Sequence, residues 1–286
     1  MRVLITGGAG QLGRDLAAVL GDDAIPLSHA ELDISDAAAV EAAVRAHAPD
    51  AIVNSAAWTD VDGCEGDPGR ARLINGIAAG NIARAAGDAL VVQVSTDYVF
   101  DGLAGRAYVE TDEVNPVSHY GRSKLEGERE VAANARRWAV VRSAWLYGTG
   151  TKNFVAAILR AARTRDRLSV VDDQAGSPTS TPDLAHALVE LIERGATGVL
   201  HGVNAGICSR FEFARAAFEE AALDPERVEP VPTSAMPRPA VRPAYAPMDG
   251  VAWRAAGLPV LRHWHEALAE VVSGVQASLD AEAAEG

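Results

Sequence analysis

Three observations predict an α/β fold built on a doubly wound parallel sheet. Short apolar runs recur at 2–6, 24–27, 51–54, 89–94 and 138–143, separated mostly by stretches of helical period. A glycine-rich turn, Gly7-Gly-Ala-Gly-Gln-Leu-Gly13, stands between the first run and the first helix. Beyond residue 150 the alternation loosens, which divides the chain into a Rossmann-type part, 1–150, and a smaller C-terminal α/β portion, 151–286, interleaved with the first.

The first strand is 2–6, and the helix after it keeps Leu12, Leu16, Val19 and Leu20 on one side. Between them Gly7 permits a tight turn, Gly10 lets the backbone approach a pyrophosphate, and Gly13 lets helix and strand pack closely. The spacing is Gly-x-x-Gly-x-x-Gly, so the usual dinucleotide fingerprint is met in part, and a glycine turn made for packing would read the same way. The second strand, 24–27, ends at Ser28-His29 without the acid that would hold a ribose 2′-hydroxyl, which admits NADPH and leaves NADH open. Asp33 follows, placed either near an adenine or as an N-terminal residue of the next helix, 37–47, which Ser35 and Asp36 could cap.

The third strand, 51–54, runs into small residues, Ser55-Ala56-Ala57, that suit close approach of a cofactor. Residues 61–65 read as a polar loop and 70–86 as a helix carrying Asn75. The fourth strand delivers Ser95 and Thr96 to its carboxyl end, where open α/β sheets place ligands, although a plain Ser/Thr turn fits that stretch equally. Helices follow at 153–165, 182–194, 211–222 and 261–279, with a strand at 168–171 and a proline-rich covering segment at 230–247. The last helix fades into a frayed acidic tail.

Lys and Arg number 26 against 39 Asp and Glu, a net charge of −13. Such a surface repels phosphate backbones, so nucleic acid and anionic membranes are not expected partners. Two cysteines make neither a disulfide framework nor a metal set, and no run approaches the length of a membrane span; the expectation is a cytoplasmic protein. No interface pattern separates a monomer from a homodimer.

The helix predicted to open at Pro116 carries Tyr120 and Lys124 four residues apart, on one face. An ammonium beside a phenol favours the phenolate, so the expectation is a lowered Tyr120 pKa and a proton transferable near neutral pH. A solvated Tyr and Lys sharing a face would show the same spacing.

Taken together, Gly10-Gln11-Leu12-Gly13, Ser95-Thr-Asp-Tyr-Val-Phe-Asp-Gly102, Asn115-Pro-x-x-x-Tyr-Gly-x-Ser-Lys-Leu-x-Gly-Glu128, Arg142-Ser-Ala-Trp-Leu-Tyr147, Asp173-Gln-x-Gly-x-Pro-Thr179 and the Arg238-Pro239 and Arg242-Pro243 pairs resemble the extended short-chain dehydrogenase/reductase family. Within it they are most similar to reductases of dTDP-linked 4-keto-6-deoxysugars. The resemblance spans nearly the whole chain. It implies a dTDP-keto-deoxysugar substrate, NADPH as coenzyme with NADH admissible, and hydride transfer to C4 to give dTDP-L-rhamnose. It implies that Tyr120 donates the proton, Lys124 tunes it and holds the nicotinamide ribose, and Thr96 orients the ketone oxygen. Tyr98 and Trp145 would meet the sugar. Asp33, Ile34, Ala56, Ala57, Thr59, Asn75 and Ser95 would surround the dinucleotide, and 151–286 would mainly bind substrate.

The chain departs from the family pattern at Ser123, where Thr is usual, and at Ala246 and Met248, where Ser and Leu are usual. Some members bind Mg2+ at a dimer interface; Asp15 matches that place only as a shorter carboxylate, so no metal is predicted. A 4,6-dehydratase would need an acid after Asp97, where this chain has Tyr98. A 4-epimerase, a sister 4-ketoreductase of an antibiotic deoxysugar pathway and a non-catalytic NADP-binding subunit are the remaining rivals.

Overall fold

The structure is a computed structural model and describes residues 1–285. Six parallel strands form the central sheet: β1 (Val3–Thr6), β2 (Ala24–Leu27), β3 (Ala51–Asn54), β4 (Leu90–Thr96), β5 (Arg137–Ser143) and β6 (Gly198–His201). Their spatial order is β2-β1-β3-β4-β5-β6. β1, β3 and β4 are buried along their whole length, which is why each reads as a mainly apolar run instead of an alternation, with Gln93 the polar residue inside β4. β2 is the edge strand, and Pro26, which could not donate inside a sheet, sits there without cost. β6 comes from the second half of the chain and was not read from the sequence.

Helices cover both faces. α1 (Gln11–Leu20) lies on one, and α2 (Ala37–His47), α3 (Ala78–Ala85) and α4 (His119–Asn134) on the other; α5 (Phe154–Ala162) follows, and α6 (Thr181–Arg194) joins α1. Alternate strand residues sort the cores: Ile5, Val53 and Val92 pack with Leu16, Leu184 and Leu188, while Leu4, Ile52 and Val91 pack with Val40, Ile82 and Val131. A further core, with Tyr147, Phe213, Trp264 and Val271, joins α5 to α7 (Arg210–Glu220) and α8 (Trp264–Glu285). Beside it Leu168–Val171 pairs with Val228–Val231 in parallel. Among the described residues no helix is long and apolar enough to cross a membrane.

Four expectations change. α4 opens at His119, not Pro116, because the Ser118 hydroxyl accepts from the Gly121 amide and caps the helix. The expected loop at 61–65 is a short helix, Val61–Gly66, capped by Asp60. The expected helix 70–86 is interrupted by a six-residue π turn, Arg72–Ile77, that carries Asn75. The acidic tail stays helical to Glu285, with Glu282 and Asp280 paired to Arg160 and Arg163.

α4 packs so closely on the π turn that a Cβ at Gly127 would lie 2.2 Å from the Asn75 carbonyl oxygen. Replacing a mid-helix Gly by Ala ordinarily gains about 1 kcal/mol. Here a backbone atom must move, and overpacking of this kind costs about 1–3 kcal/mol or more. Gly127→Ala is therefore expected to lower stability in urea denaturation; an unchanged or raised midpoint would show that the approach is not tight.

Candidate active site

The sheet changes winding direction between β1 and β3, and the loops at the carboxyl ends of β1, β3, β4 and β5 surround one cavity of about 590 Å3. The turn after β1 needs glycine for two separate reasons. Gly7 adopts φ +70°, where a Cβ would also meet the Ala56 amide at 2.8 Å. At Gly13 a Cβ would lie 2.4 Å from the Gly7 carbonyl. The result is a bare backbone cradle in front of α1. The N-cap of α1 is Gly10, and no side chain caps it, so its first amides are free of side-chain acceptors. That donor set fits the pyrophosphate of a dinucleotide.

Gly10, Gln11, Leu12 and Gly13, from the turn after β1, line the cavity together with Thr96, Tyr98, Tyr120, Lys124 and Trp145, and Ala57 and Thr59, from the loop after β3, line it too. α4 brings Tyr120 and Lys124 to one wall, and both are buried. Lys124 Nζ donates to the Val94 carbonyl at 2.7 Å. Burial draws its ammonium down to about 8, opposed by the nearby Glu128 carboxylate. Burial, and then the Asp97 charge, pushes the Tyr120 phenol well above its ordinary value, while a Thr96 hydrogen bond acts the other way. The expected lowering of Tyr120 is not what the site produces: Lys124 is tied to Val94, and removal from water outweighs it.

Thr96 closes β4. Its hydroxyl donates to Asp97 Oδ1 at 2.9 Å and accepts from the Tyr98 amide at 3.2 Å. Asp97 is buried, which pushes its carboxyl up to about 6 against the Thr96 hydrogen bond and the Arg210 charge. Tyr98 meets Tyr120 edge to face at 5.4 Å. Trp145, after β5, is held at φ +48°, a conformation that costs a non-glycine residue about 1–3 kcal/mol. Its ring is wedged between Gly176, where a Cβ would lie 2.6 Å away, and the Arg210 guanidinium, 3.5 Å from the ring centroid.

The other expected cofactor residues lie off the cavity wall. Gly7 and Ala56 form the backbone contact beneath it. Asn75 holds Trp58 N and O and Ser123 Oγ at 2.8–3.0 Å, bracing the wall from behind. Ser95 Oγ donates to Glu128 at 2.5 Å. The Asp33 carboxylate accepts from Ser35 N and Oγ, so it serves the turn before α2, and Ile34 is core. Asp15 accepts from Thr181 Oγ1.

Sequence reading missed Arg14, Asp97, Ser143, Lys152 and Arg210, which share the cavity. Arg210 and Lys152 carry no local signal, because tertiary folding alone brings 150–152 and 210 here. It also missed Glu31. The chain turns back after β2, and Glu31 Oε2 accepts from Ser28 N at 2.8 Å, which puts a carboxylate at the strand tip after all.

Residues 1–277 match the family model described as the RmlD substrate binding domain. The dTDP-4-dehydrorhamnose reductase of Mycobacterium tuberculosis is 47% identical over 283 residues, covering 95% of this chain and 92% of that one. The dTDP-4-keto-6-deoxy-D-glucose reductase of Streptomyces niveus is 42% identical, covering 94% and 96%. The structure of dTDP-4-dehydrorhamnose reductase from Bacillus anthracis, in complex with NADP, superposes with a TM-score of 0.91 at 37% identity, covering 94% of this chain and 98% of that one. With a matched model over nearly its whole length and relatives of this similarity, the chain belongs to the RmlD substrate-binding domain family.

Proposed function

We propose that the protein reduces the C4 ketone of dTDP-4-dehydro-6-deoxy-L-mannose to dTDP-L-rhamnose, with NADPH as reductant and Thr96, Tyr120 and Lys124 as catalytic groups. The observation that carries this is one cavity running from the glycine cradle to the Thr96, Tyr120 and Lys124 wall. The names of the Mycobacterium tuberculosis and Bacillus anthracis relatives support the substrate and the coenzyme. Two buried free thiols, Cys64 and Cys208, suit a reducing compartment, and the cytoplasm is the proposed location.

When bound, the coenzyme supplies the hydride. The chain holds the ketone oxygen and delivers a proton to it. Thr96 orients that oxygen. Tyr120, kept protonated by burial, gives its proton as the oxygen becomes an alkoxide, a stronger base than phenolate. Lys124, anchored on Val94, keeps two N–H groups for a ribose hydroxyl and places a cation beside the phenolate that forms.

Tyr120→Phe is expected to lower kcat by at least about 100-fold while NADPH affinity, read by fluorescence titration, changes little. Near-normal turnover in this variant would remove Tyr120 from the mechanism.

Glu31 bears on coenzyme choice. A carboxylate at the tip of β2 suits a ribose 2′-hydroxyl and opposes a 2′-phosphate, so NADH is expected as a second, usable coenzyme. Glu31→Gln should raise the NADPH to NADH ratio of kcat/KM by about fivefold or more; an unchanged ratio would place the ribose elsewhere.

Substrate identity is tested by mixing the protein with dTDP-4-keto-6-deoxyglucose, a 3,5-epimerase and NADPH, and identifying the product by NMR. Epimerase-dependent oxidation giving dTDP-L-rhamnose is the expected result. A different sugar would favour the second reading, a sister 4-ketoreductase, to which the name of the Streptomyces niveus relative points. Failure to oxidise NADPH or NADH would favour a non-catalytic binding subunit.

A further inference from the structure

The Thr96 hydroxyl has one hydrogen and two lone pairs to share among its neighbours. One lone pair accepts from the Tyr98 amide at 3.2 Å, and the hydrogen goes to Asp97 Oδ1 at 2.9 Å. A ketone oxygen can only accept. While the Thr96 hydrogen is committed to an ionised Asp97, the hydroxyl therefore has nothing to offer that oxygen.

Asp97 is 3% exposed, and among the described residues no Lys, Arg or His nitrogen lies within ion-pair distance of it. Tyr120 and Lys124 of α4, Arg14 of α1 and Lys152 share its cavity, Tyr98 follows it in the chain, and Arg210 of α7 faces it. Arg210 is stacked on Trp145, 3.5 Å from the ring centroid, and with Tyr98 it also lines a second cavity of about 650 Å3. Burial pushes the Asp97 carboxyl up to about 6, outweighing the Thr96 hydrogen bond, the Arg210 charge and the Asp97 and Tyr98 amides. A proton on Asp97 reverses the bond between the two side chains. The carboxyl O–H donates to the second lone pair of Thr96, and the Thr96 hydrogen is released toward the cavity.

We propose that Asp97 is a positioning residue that carries a proton when the ketone binds, so that its O–H holds Thr96 Oγ1 and turns the Thr96 hydrogen onto the ketone oxygen. This rests on the reductase reading above. The Asp97 proton is not consumed; the one transferred is that of Tyr120. The carboxyl next to Thr96 thus has a task in reduction, although Tyr98 stands where a dehydratase would need a second acid.

The test is the pH dependence of kcat/KM for the nucleotide sugar in wild type, Asp97→Asn and Thr96→Val. It is measured with saturating NADPH and with NADH, which lacks the 2′-phosphate that itself titrates near about 6. The active form is the protonated one, present below the Asp97 pKa and lost as pH rises through it. Wild type should therefore fall by at least about tenfold from about pH 6 to about pH 8. Asparagine keeps an N–H donor and cannot ionise, so Asp97→Asn should fall by no more than about threefold, the part left to Lys124. The residual turnover of Thr96→Val, which has no hydroxyl to turn, should be as flat as that of Asp97→Asn. A flat wild-type profile, or the full fall retained in either variant, overturns the assignment and leaves the reductase reading intact. No oxidation of either coenzyme at any pH overturns both. Should Asp97→Asn fail to fold, the wild-type and Thr96→Val profiles decide by the same criteria.

Discussion

The register of α4 on the sheet is set by one buried carboxylate. Glu128 accepts from Ser95 Oγ at 2.5 Å, from Arg142 Nε at 3.0 Å and from Arg142 Nη2 at 2.7 Å. Its side chain and that of Arg142 are 6% and 5% exposed. Ser95 and Arg142 are register partners on neighbouring strands, so the three groups meet only when β4, β5 and α4 are all correctly aligned. Leaving one such charge buried and unpaired costs about 3–5 kcal/mol, enough to exclude a slipped helix. Lys124 lies one turn before Glu128 and reaches Val94; Tyr120 lies one turn earlier still, against Thr96 and Tyr98. The proposed catalytic wall is thus positioned by a pair that takes no part in the chemistry.

Burial also decides the state of that wall. Removal from water moves Tyr120 and Asp97 upward and Lys124 downward, each towards its uncharged form, while Lys124 at about 8 stays an ammonium at neutral pH. A neighbouring ammonium was expected to dominate Tyr120, but that expectation treats the pair as solvated. In the folded chain burial keeps the phenol protonated, the state that the proposed proton delivery to a nascent alkoxide requires.

The C-terminal half does more than cover the sheet. It contributes β6, supplies Arg210 from the start of α7, and carries Arg238 and Arg242 to Asp62 in the first half. Trp145 links the two parts, strained at its own backbone and packed against Gly176 and Arg210 from the second half. Both cavities therefore exist only once the halves have come together, with Tyr98 and Arg210 as the wall between them.

The strand–glycine turn–helix order, the positions of β1 to β5, and Tyr120 and Lys124 on one helix face were legible because each depends on local periodicity or on a spacing of a few residues. The cap at Ser118 and the π turn at Arg72–Ile77 were not, since local pattern fixes helix boundaries only to within a residue or two and packing chooses among them. Glu31 at the tip of β2, Arg210 over Trp145 and the raised Tyr120 pKa were decided by the tertiary structure alone. Each depends on which groups are brought together and removed from water, and a linear sequence does not carry that information.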